Sequence, residues 1–381
     1  MRVLFLTKYY PPSEGGIERY GHMLCSDLVA RGIEVEVVAA SEENEATREE
    51  WVDGVKVYRL HPQMSLSSTP ITLGLPLLLR DMMRDFDIVH INFPNPWTDL
   101  LYLVLGGRCK AVMTYHSDIF RQKGTLSGLL LQSYHPFIHK VLAGVSAVVA
   151  SSPNCIENSP FLSRQASKCR VIPMPVDAAS LAEVEIEAVQ KERDQFGKFV
   201  LFVGRFVYYK GVRHLIEALS HSKEARLVVV GRGPLESEYR RLVDELDLRD
   251  RVFFVGKIGD ERLRLLYHAC HCLALPSVSH AEGFGMVLAE AMACGKPVIS
   301  TQLQTGTSYV NLDGVTGYVV PPGDPQALSE KIDVLMCDEE IHKKMGLKAK
   351  HRAETEFDRP IVTERTVRLY EDVLAEREID G

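Results

Sequence analysis

The sequence predicts an α/β chain of two parallel-sheet domains in tandem, and three observations predict it. Short apolar, β-branched runs alternate with helical patterns from end to end, the signature of parallel sheets covered on both faces. The alternation breaks at a polar stretch following Pro173 and Pro175 and then restarts. The 381 residues, 46% hydrophobic and 25% charged, suffice for two cores that fold without disulfides or metals.

Taken in order, the first-half strands are Val3–Leu6, Val35–Val38, Ile88–Ile91, Ala111–Thr114 and Ala147–Ala150. Trp51–Tyr58 alternates with period two around Asp53-Gly54, which reads as a hairpin. A helix from Ile17 to Arg31 places Ile17, Tyr20, Leu24 and Leu28 on one face and stops at Gly32. After the proline stretch come strands Phe199–Val203, Arg226–Val230, Val252–Val255, Cys272–Leu275 and Val298–Thr301. The last pattern, about Arg359 to Arg377, is a helix expected to pack back on the first domain. The expected domains are therefore residues 1–174 and 175–356, with 357–381 returning to the first. Ligands of open α/β sheets bind at the carboxyl ends of strands, so a cleft with both sets of strand ends facing it is expected.

Composition excludes collagen, coiled coil and wholesale disorder. No apolar run reaches the ~18 residues of a membrane span. Val3–Leu6 is too short for a signal peptide and reads as a buried strand. Eight cysteines, too sparse for a stapled scaffold, point to a reducing cytoplasm. The net charge of −7 argues against nucleic acid as a partner. Yet residues 100–175 carry eight bases and two acids, whereas residues 34–53 carry eight acids and one base. The basic stretch is either a solvated face or a surface for an anionic partner such as a membrane or a diphosphate.

Four segments carry chemistry. From Met286 to Cys294 every residue is apolar except Glu290, so a buried helix holds one carboxylate that needs partners. Glu282, Gly283, Phe284 and Gly285 lead into it, and glycines there allow close backbone approach to a ligand. The N–H groups at that helix start, including those of Met286 and Val287, suit a phosphate or polarised hydroxyls. A bland alternative pairs Glu290 with a core arginine and makes Glu282 a cap. The second segment, Gly204 to Gly211, follows a strand and brings Arg205 and Lys210 to its carboxyl end, where two cations can neutralise a diphosphate. Gly231-Arg232-Gly233-Pro234 also follows a strand, but it lacks the third glycine of a dinucleotide fingerprint. Gly15 and Gly16, between the first strand and helix, form another anion-accepting turn.

Two patterns are read as decoys. Asp85-Phe86-Asp87 has an Asp-x-Asp form but sits at the amino end of its strand, away from the expected site. His268, Cys270, His271 and Cys272 have no second pair at finger spacing, so core packing is the better reading than zinc. Leu129–Leu131 lies in a segment that reads as a core helix or as one touching lipid.

Together these segments resemble the family 4 retaining glycosyltransferases of GT-B fold, over nearly the whole chain. The most specific element is Glu282-x7-Glu290 with Gly283-Phe284-Gly285 between. The resemblance implies that Glu282 and the adjoining backbone hold the donor sugar and that Glu290 holds the ribose hydroxyls. It gives Arg205 and Lys210 the diphosphate, Gly15 and Gly16 the family's double glycine, and His116 a place beside the donor sugar. Thr114–Asp118 and Gln304–Tyr309 look most like bacterial polysaccharide enzymes, many of them mannosyltransferases. One departure is Ile172-Pro-Met-Pro-Val-Asp177, where the family often has Asn-Gly in place of Met-Pro, so the usual contacts of that link are left unassigned.

The expected activity is therefore retaining transfer of a sugar from a nucleoside-diphosphate sugar, GDP-mannose first and a UDP-sugar next. Residues 1–174 would bind the acceptor, a glycan or a polyprenyl-diphosphate-linked glycan, and residues 175–356 the nucleotide-sugar. No cofactor or metal is expected, because Arg205, Lys210 and helix N–H groups would stabilise the leaving diphosphate. No carboxylate stands out as a nucleophile, so front-face attack fits best. Asp118, Arg121 and Lys123 are expected on the acceptor or membrane side, in a cytoplasmic protein touching the inner face of an anionic plasma membrane. A sugar-nucleotide epimerase of the same architecture and a non-catalytic nucleotide-sugar sensor are the alternatives; product analysis with and without acceptor separates them.

Overall fold

A computed structural model describes residues 1–379 except 14, 43–44, 67–68, 107–108, 119–124 and 223, with the side chains of 125–133 and 377–379 also outside the description. The chain divides into two units, Met1–Pro175 with Arg359–Gly381, and Val176–Asp358.

The first unit is built on an eight-stranded sheet. In chain order its strands are β1 (Arg2–Leu6), β2 (Glu34–Ala40), β3 (Arg48–Val52), β4 (Val55–Leu60), then, past a small β5 (Met64–Leu66) and β6 (Thr69–Ile71) hairpin, β7 (Ile88–Phe93), β8 (Lys110–Tyr115), β9 (Ala147–Ala150) and β10 (Cys169–Val171). The spatial order is β10-β9-β8-β7-β1-β2-β4-β3. All pairs are parallel except β3 with β4, the expected hairpin, whose turn is Asp53-Gly54. Phe5 sits between Val37 of β2 and His90 of β7, so the order reverses at β1. The strands β5, β6 and β10 were not anticipated; each is three residues long, too short to show a period.

Helix α1 (Gly16–Ala30) buries Tyr20, Leu24 and Leu28 as expected, while Ile17 stays half-exposed at its first turn. Helices α2 (Leu75–Met82), α3 (Pro96–Leu105) and α4 (Thr125–Gly144) cover one face of the sheet. Leu79, Leu101, Ile138 and Val141 join Leu4, Val89 and Met113 in that core. The C-terminal helix Arg359–Ile379 packs on α1: Arg359 donates to Asp27 at 2.8 Å, and Tyr370 reaches His90. The Asp87 carboxylate accepts from Arg2 N–H at 2.7 Å, and the Asp85 main-chain carbonyl accepts from the Arg2 side chain at 2.6 Å. Of the Asp-x-Asp pattern, the Asp87 side chain thus has a structural role.

The second unit holds a six-stranded parallel sheet: β11 (Phe199–Val203), β12 (Arg226–Val230), β13 (Val252–Gly256), β14 (Cys272–Leu275), β15 (Val298–Thr301) and β16 (Gly317–Val320), in the order β13-β12-β11-β14-β15-β16. Its order reverses between β11 and β14. Cys270 and Cys272 are buried in this core, and the His268 and His271 N–H groups meet the Leu181 and Leu335 carbonyls at 2.8 and 2.9 Å.

The unit boundary differs slightly from the sequence expectation. Pro175 closes the first unit, and residues 357 and 358 belong to the second rather than to the returning helix. The reason is packing: the Phe357 carbonyl accepts from Val176 N–H at 2.8 Å, and its ring meets Phe284 edge-on at 5.7 Å.

Candidate functional site

In the second unit three strand ends converge. The loop after β11 exposes Arg205, buries Phe206 and turns through Tyr208–Lys210. Gly211 then takes φ +67°, and a Cβ there would lie 2.0 Å from the Pro276 carbonyl oxygen. Only glycine lets this loop press against the one following β14. The close approach puts Lys210 Nζ 2.7 Å from Glu282 Oε2, with only 14% and 8% of those side chains exposed. Ser277, fully buried just past β14, donates to the same oxygen at 2.9 Å. Thr301, at the end of β15, donates to the Ser277 carbonyl. A buried ammonium–carboxylate pair with a further hydroxyl donor has its desolvation offset by direct partners.

Glu282 leads through Gly283 and Phe284 into the helix Met286–Ala293, capped by Gly285. The Gly283 carbonyl accepts from Gly306 N–H at 2.7 Å. Met286 and Val287 are half-exposed at the first turn, while the rest of the helix through Ala293 is buried. Glu290, 4% exposed, accepts from the Tyr267 hydroxyl at 2.6 Å. The Tyr267 hydroxyl is thus one partner that this buried carboxylate has. Gly231, at the end of β12, has φ +130°, and a Cβ there would meet the Gly204 carbonyl oxygen at 2.0 Å. The loops after β11 and β12 are thus pressed together beside Arg205.

The first unit gathers a second group. Gly15 and Gly16 open α1 and are exposed. One turn later the Tyr20 ring stands edge-on to His116 at 5.0 Å. His116, directly after β8, has Nε2 3.2 Å from the Asn92 side-chain oxygen, which makes Nε2 the donor. Burial pushes its pKa down to about 3, so the imidazole is neutral across the physiological range. Asp118 accepts from the Tyr115 and Ser159 hydroxyls, each at 2.6 Å. Arg121 and Lys123 lie outside the described residues, as do the side chains of Leu129–Leu131. Beyond β1, β2 and β4 lies a small pocket whose lining includes Lys8, Thr72, Asn95 and Trp97.

Lys210, Glu282, Gly283 and Gly285 are brought together in the second unit; in the first, His116 packs on Tyr20, one turn into the helix that Gly15 and Gly16 open. Sequence reasoning missed Ser277, Tyr267, Asn92 and Lys8. Lys8 and Ser277 had a local signal, a polar side chain just past a strand. Tyr267 and Asn92 had none.

Residues 14–180 match the family described as Glycosyltransferase Family 4, and residues 184–352 that described as Glycosyl transferases group 1. Over 376 residues the chain is 35% identical to the O-antigen chain mannosyltransferase C of Escherichia coli, spanning 98% of this chain and 99% of that protein. The chain belongs to the family 4 glycosyltransferases. A second relative of this glycosyltransferase is the D-rhamnosyltransferase WbpZ of Pseudomonas aeruginosa, 34% identical over 92% of this chain and 91% of that one. The crystal structure of Anabaena HepE in complex with UDP aligns with a TM-score of 0.77 at 22% identity, covering 98% of this chain and 100% of that one. That likeness shows the fold, GT-B. No helix among the described residues of the glycosyltransferase is long and apolar enough to cross a membrane.

Proposed function

We propose that this glycosyltransferase moves a hexosyl group, with retention, from a nucleoside-diphosphate sugar to a hydroxyl of a glycan or lipid-linked glycan in cell-surface polysaccharide synthesis. Mannose from GDP-mannose is the first choice of donor and a UDP-sugar the second. The observation that carries the reading is the buried Lys210–Glu282–Ser277 group beside exposed Arg205, at the carboxyl ends of β11 and β14. Strand ends where the order reverses are where open α/β sheets take nucleotides. The names of the Escherichia coli and Pseudomonas aeruginosa relatives support the sugar class and the pathway.

In this reading Arg205 and Lys210, with N–H groups of the helix starting at Met286, stabilise charge developing on the departing diphosphate. No divalent metal is then required. Glu282 and Glu290, engaged by Lys210 with Ser277 and by Tyr267 respectively, bind rather than attack. The acceptor oxygen bonds to the anomeric carbon on the face from which the phosphate leaves. The carbon–oxygen bond to the diphosphate breaks, and the acceptor's proton passes to a phosphate oxygen. Neutral His116 orients the sugar by hydrogen bonding.

A thermal-shift panel with GDP, UDP, ADP and dTDP tests the donor, because a ligand of the native state raises apparent stability by mass action. GDP is expected to give the largest shift. Product analysis then tests the reaction. Sugar transfer that needs acceptor and survives thorough chelation supports the reading; nucleotide-sugar conversion without acceptor would sink it.

A further inference from the structure

A second group of chemistry-bearing side chains lies at the other end of the second unit's sheet. His271 directly precedes β14, and its N–H donates to the Phe199 carbonyl at the start of β11 at 2.9 Å. It therefore sits at the amino end of these strands, with the length of β14 between it and Ser277. One helix ends and another begins beside it. The helix Pro325–Cys337 offers the Leu335 carbonyl, and the helix Glu339–Arg352 brings Glu339 and His342 in its first turn. Asp338 fixes that turn, its side chain accepting from Ile341 N–H at 2.9 Å. Residues three apart share a helix face, so Glu339 and His342 stand side by side.

His271, Glu339 and His342 each place a side-chain nitrogen or oxygen within 4.8 Å of the other two. The two imidazole rings stack, with centroids 3.8 Å apart and planes at 13°. Each ring is pinned by one nitrogen. His271 Nε2 lies 2.9 Å from the Leu335 carbonyl oxygen, and His342 Nε2 lies 2.7 Å from the His271 carbonyl oxygen. A carbonyl only accepts, so Nε2 carries the proton in both, and in the neutral ring Nδ1 carries the lone pair. No hydrogen bond takes up either Nδ1 among the described residues. Metal-binding histidines are oriented in this way, one nitrogen held by a carbonyl and the other left for the ion. Glu339 is exposed and gives Oε1 to Lys198, which leaves Oε2.

The donor set selects the ion. Two imidazoles and a carboxylate suit Zn²⁺ and its first-row neighbours, whereas Mg²⁺ and Ca²⁺ take oxygen ligands. We propose that His271, Glu339 and His342 form a site for one divalent transition-metal ion, Zn²⁺ in the first instance, with water completing its shell. Zn²⁺ bonds of ~2.0–2.1 Å hold tetrahedral ligand atoms ~3.3 Å apart, so the group draws in on binding. An ion lies in the plane of each ring that binds it, so the stacked rings splay about their Cβ–Cγ bonds. Nε2 lies close to that axis and keeps its carbonyl, and exposed Glu339 swings in. The ion ties the helix Glu339–Arg352 to the start of β14. That helix packs on the helix Met286–Ala293, so the site braces the second unit from the end of its sheet away from Glu282. It acts on stability and takes no part in sugar transfer.

The test is titration of the full-length enzyme, stripped of metal by a chelator and dialysed, with Zn²⁺ against a chromophoric competitor. One equivalent is expected to bind and, at ~100-fold excess over Kd, to raise the melting temperature by about 5 °C. His342→Ala should weaken binding ~100-fold, and Glu339→Gln ~10-fold or more. Glu339 is exposed, so its variant keeps the fold even where His342→Ala does not. Cys337 is exposed at the end of the preceding helix and is the obvious competing ligand. Cys337→Ser should leave the affinity unchanged. Co²⁺ in place of Zn²⁺ should give d–d bands with no thiolate charge-transfer band. Failure to bind Zn²⁺ more tightly than about 1 mM overturns the proposal. So does an affinity unchanged in both His342→Ala and Glu339→Gln, or one lost in Cys337→Ser, which would place the ion on the thiol.

Discussion

Lys210 and Arg205 differ in burial, and the difference separates their expected effects. Arg205 is exposed, so Arg205→Ala should leave the melting temperature unchanged while lowering kcat ~10²-fold or more, if it acts on charge that develops in the transition state. Lys210 instead neutralises buried Glu282. Lys210→Ala should lower turnover and also destabilise the fold by ~3 kcal/mol, because it strands a carboxylate. Steady-state kinetics and calorimetry on both variants check this. Equal losses in turnover and donor affinity would indicate uniform ground-state binding instead. Glu290 gives a third case. Removing it leaves the Tyr267 hydroxyl without this acceptor, so Glu290→Ala should destabilise by ~1–3 kcal/mol and still unfold cooperatively. Donor affinity, read by calorimetric titration, should drop ~10-fold or more if Glu290 holds ribose hydroxyls through charge-assisted hydrogen bonds. Normal affinity in a weakened fold would make it a structural carboxylate.

At the scale of elements, α3 and α4 meet over an unusual carboxyl group. Asp99 is fully buried, accepts from Tyr134 on α4 at 2.5 Å and from Asn95 N–H at 3.2 Å, and has no partner for Oδ1. Burial pushes its pKa up to about 7, against the hydrogen bonds that favour the ionised form. Its unfolded value is ~3.9. Between those two values the native state holds a proton that the unfolded state has lost, so Asp99 makes stability fall as pH rises from about 4 to about 7. His90 and His116, each with its pKa lowered to about 3 by burial, act oppositely: their contribution is present above the unfolded value and lost as pH falls toward 3. The informative quantity is therefore the difference between wild type and Asp99→Asn. The variant should gain stability relative to wild type from about pH 4 to about pH 7 and then level off, by ~4 kcal/mol at most. Urea unfolding at several pH values measures it. A difference flat with pH would mean that Asp99 is ionised in the native state throughout.

Across the whole molecule, the chain leaves its first unit after Pro175 and comes back at Arg359. The returning helix is tied in by a buried polar chain: the Tyr370 hydroxyl lies on His90 Nδ1, His90 Nε2 on the Thr114 hydroxyl at 2.7 Å, and that hydroxyl on Tyr20 at 2.9 Å. Tyr20 in turn contacts His116. The C-terminal segment thus holds the strands that carry the first unit's candidate residues. Tyr370→Phe leaves a ring nitrogen of buried His90 without its partner and should destabilise by ~1–3 kcal/mol. Hydrogen exchange should show the loss in β7 and β8 and not in β11 or β14. Equal loss of protection in both units would mean that they unfold as one.

The apolar runs of β1, β7, β8, β11, β12 and β14 were legible because each strand of a parallel sheet is buried on both faces and shows it locally. The helix around Glu290 was legible because one carboxylate in an apolar run stands out. So were Arg205, Lys210 and Glu282, which lie in loops that follow strands. What the local pattern could not carry was which loop meets which. Lys210 follows β11 and Ser277 follows β14, and they share Glu282 because β14 lies beside β11 while β12 and β13 lie on its other side. The three-residue strands gave too few positions to display a period. Tyr267, Asn92 and Tyr370 carried no sign of their partners, since a hydrogen bond across a core depends on strand order and helix placement. The sequence by itself determined most of the strands of both sheets, the family resemblance and the charged residues at strand ends. The tertiary structure decided their pairings, because hydrophobic periodicity is a property of neighbours along the chain and pairing is a property of neighbours in space.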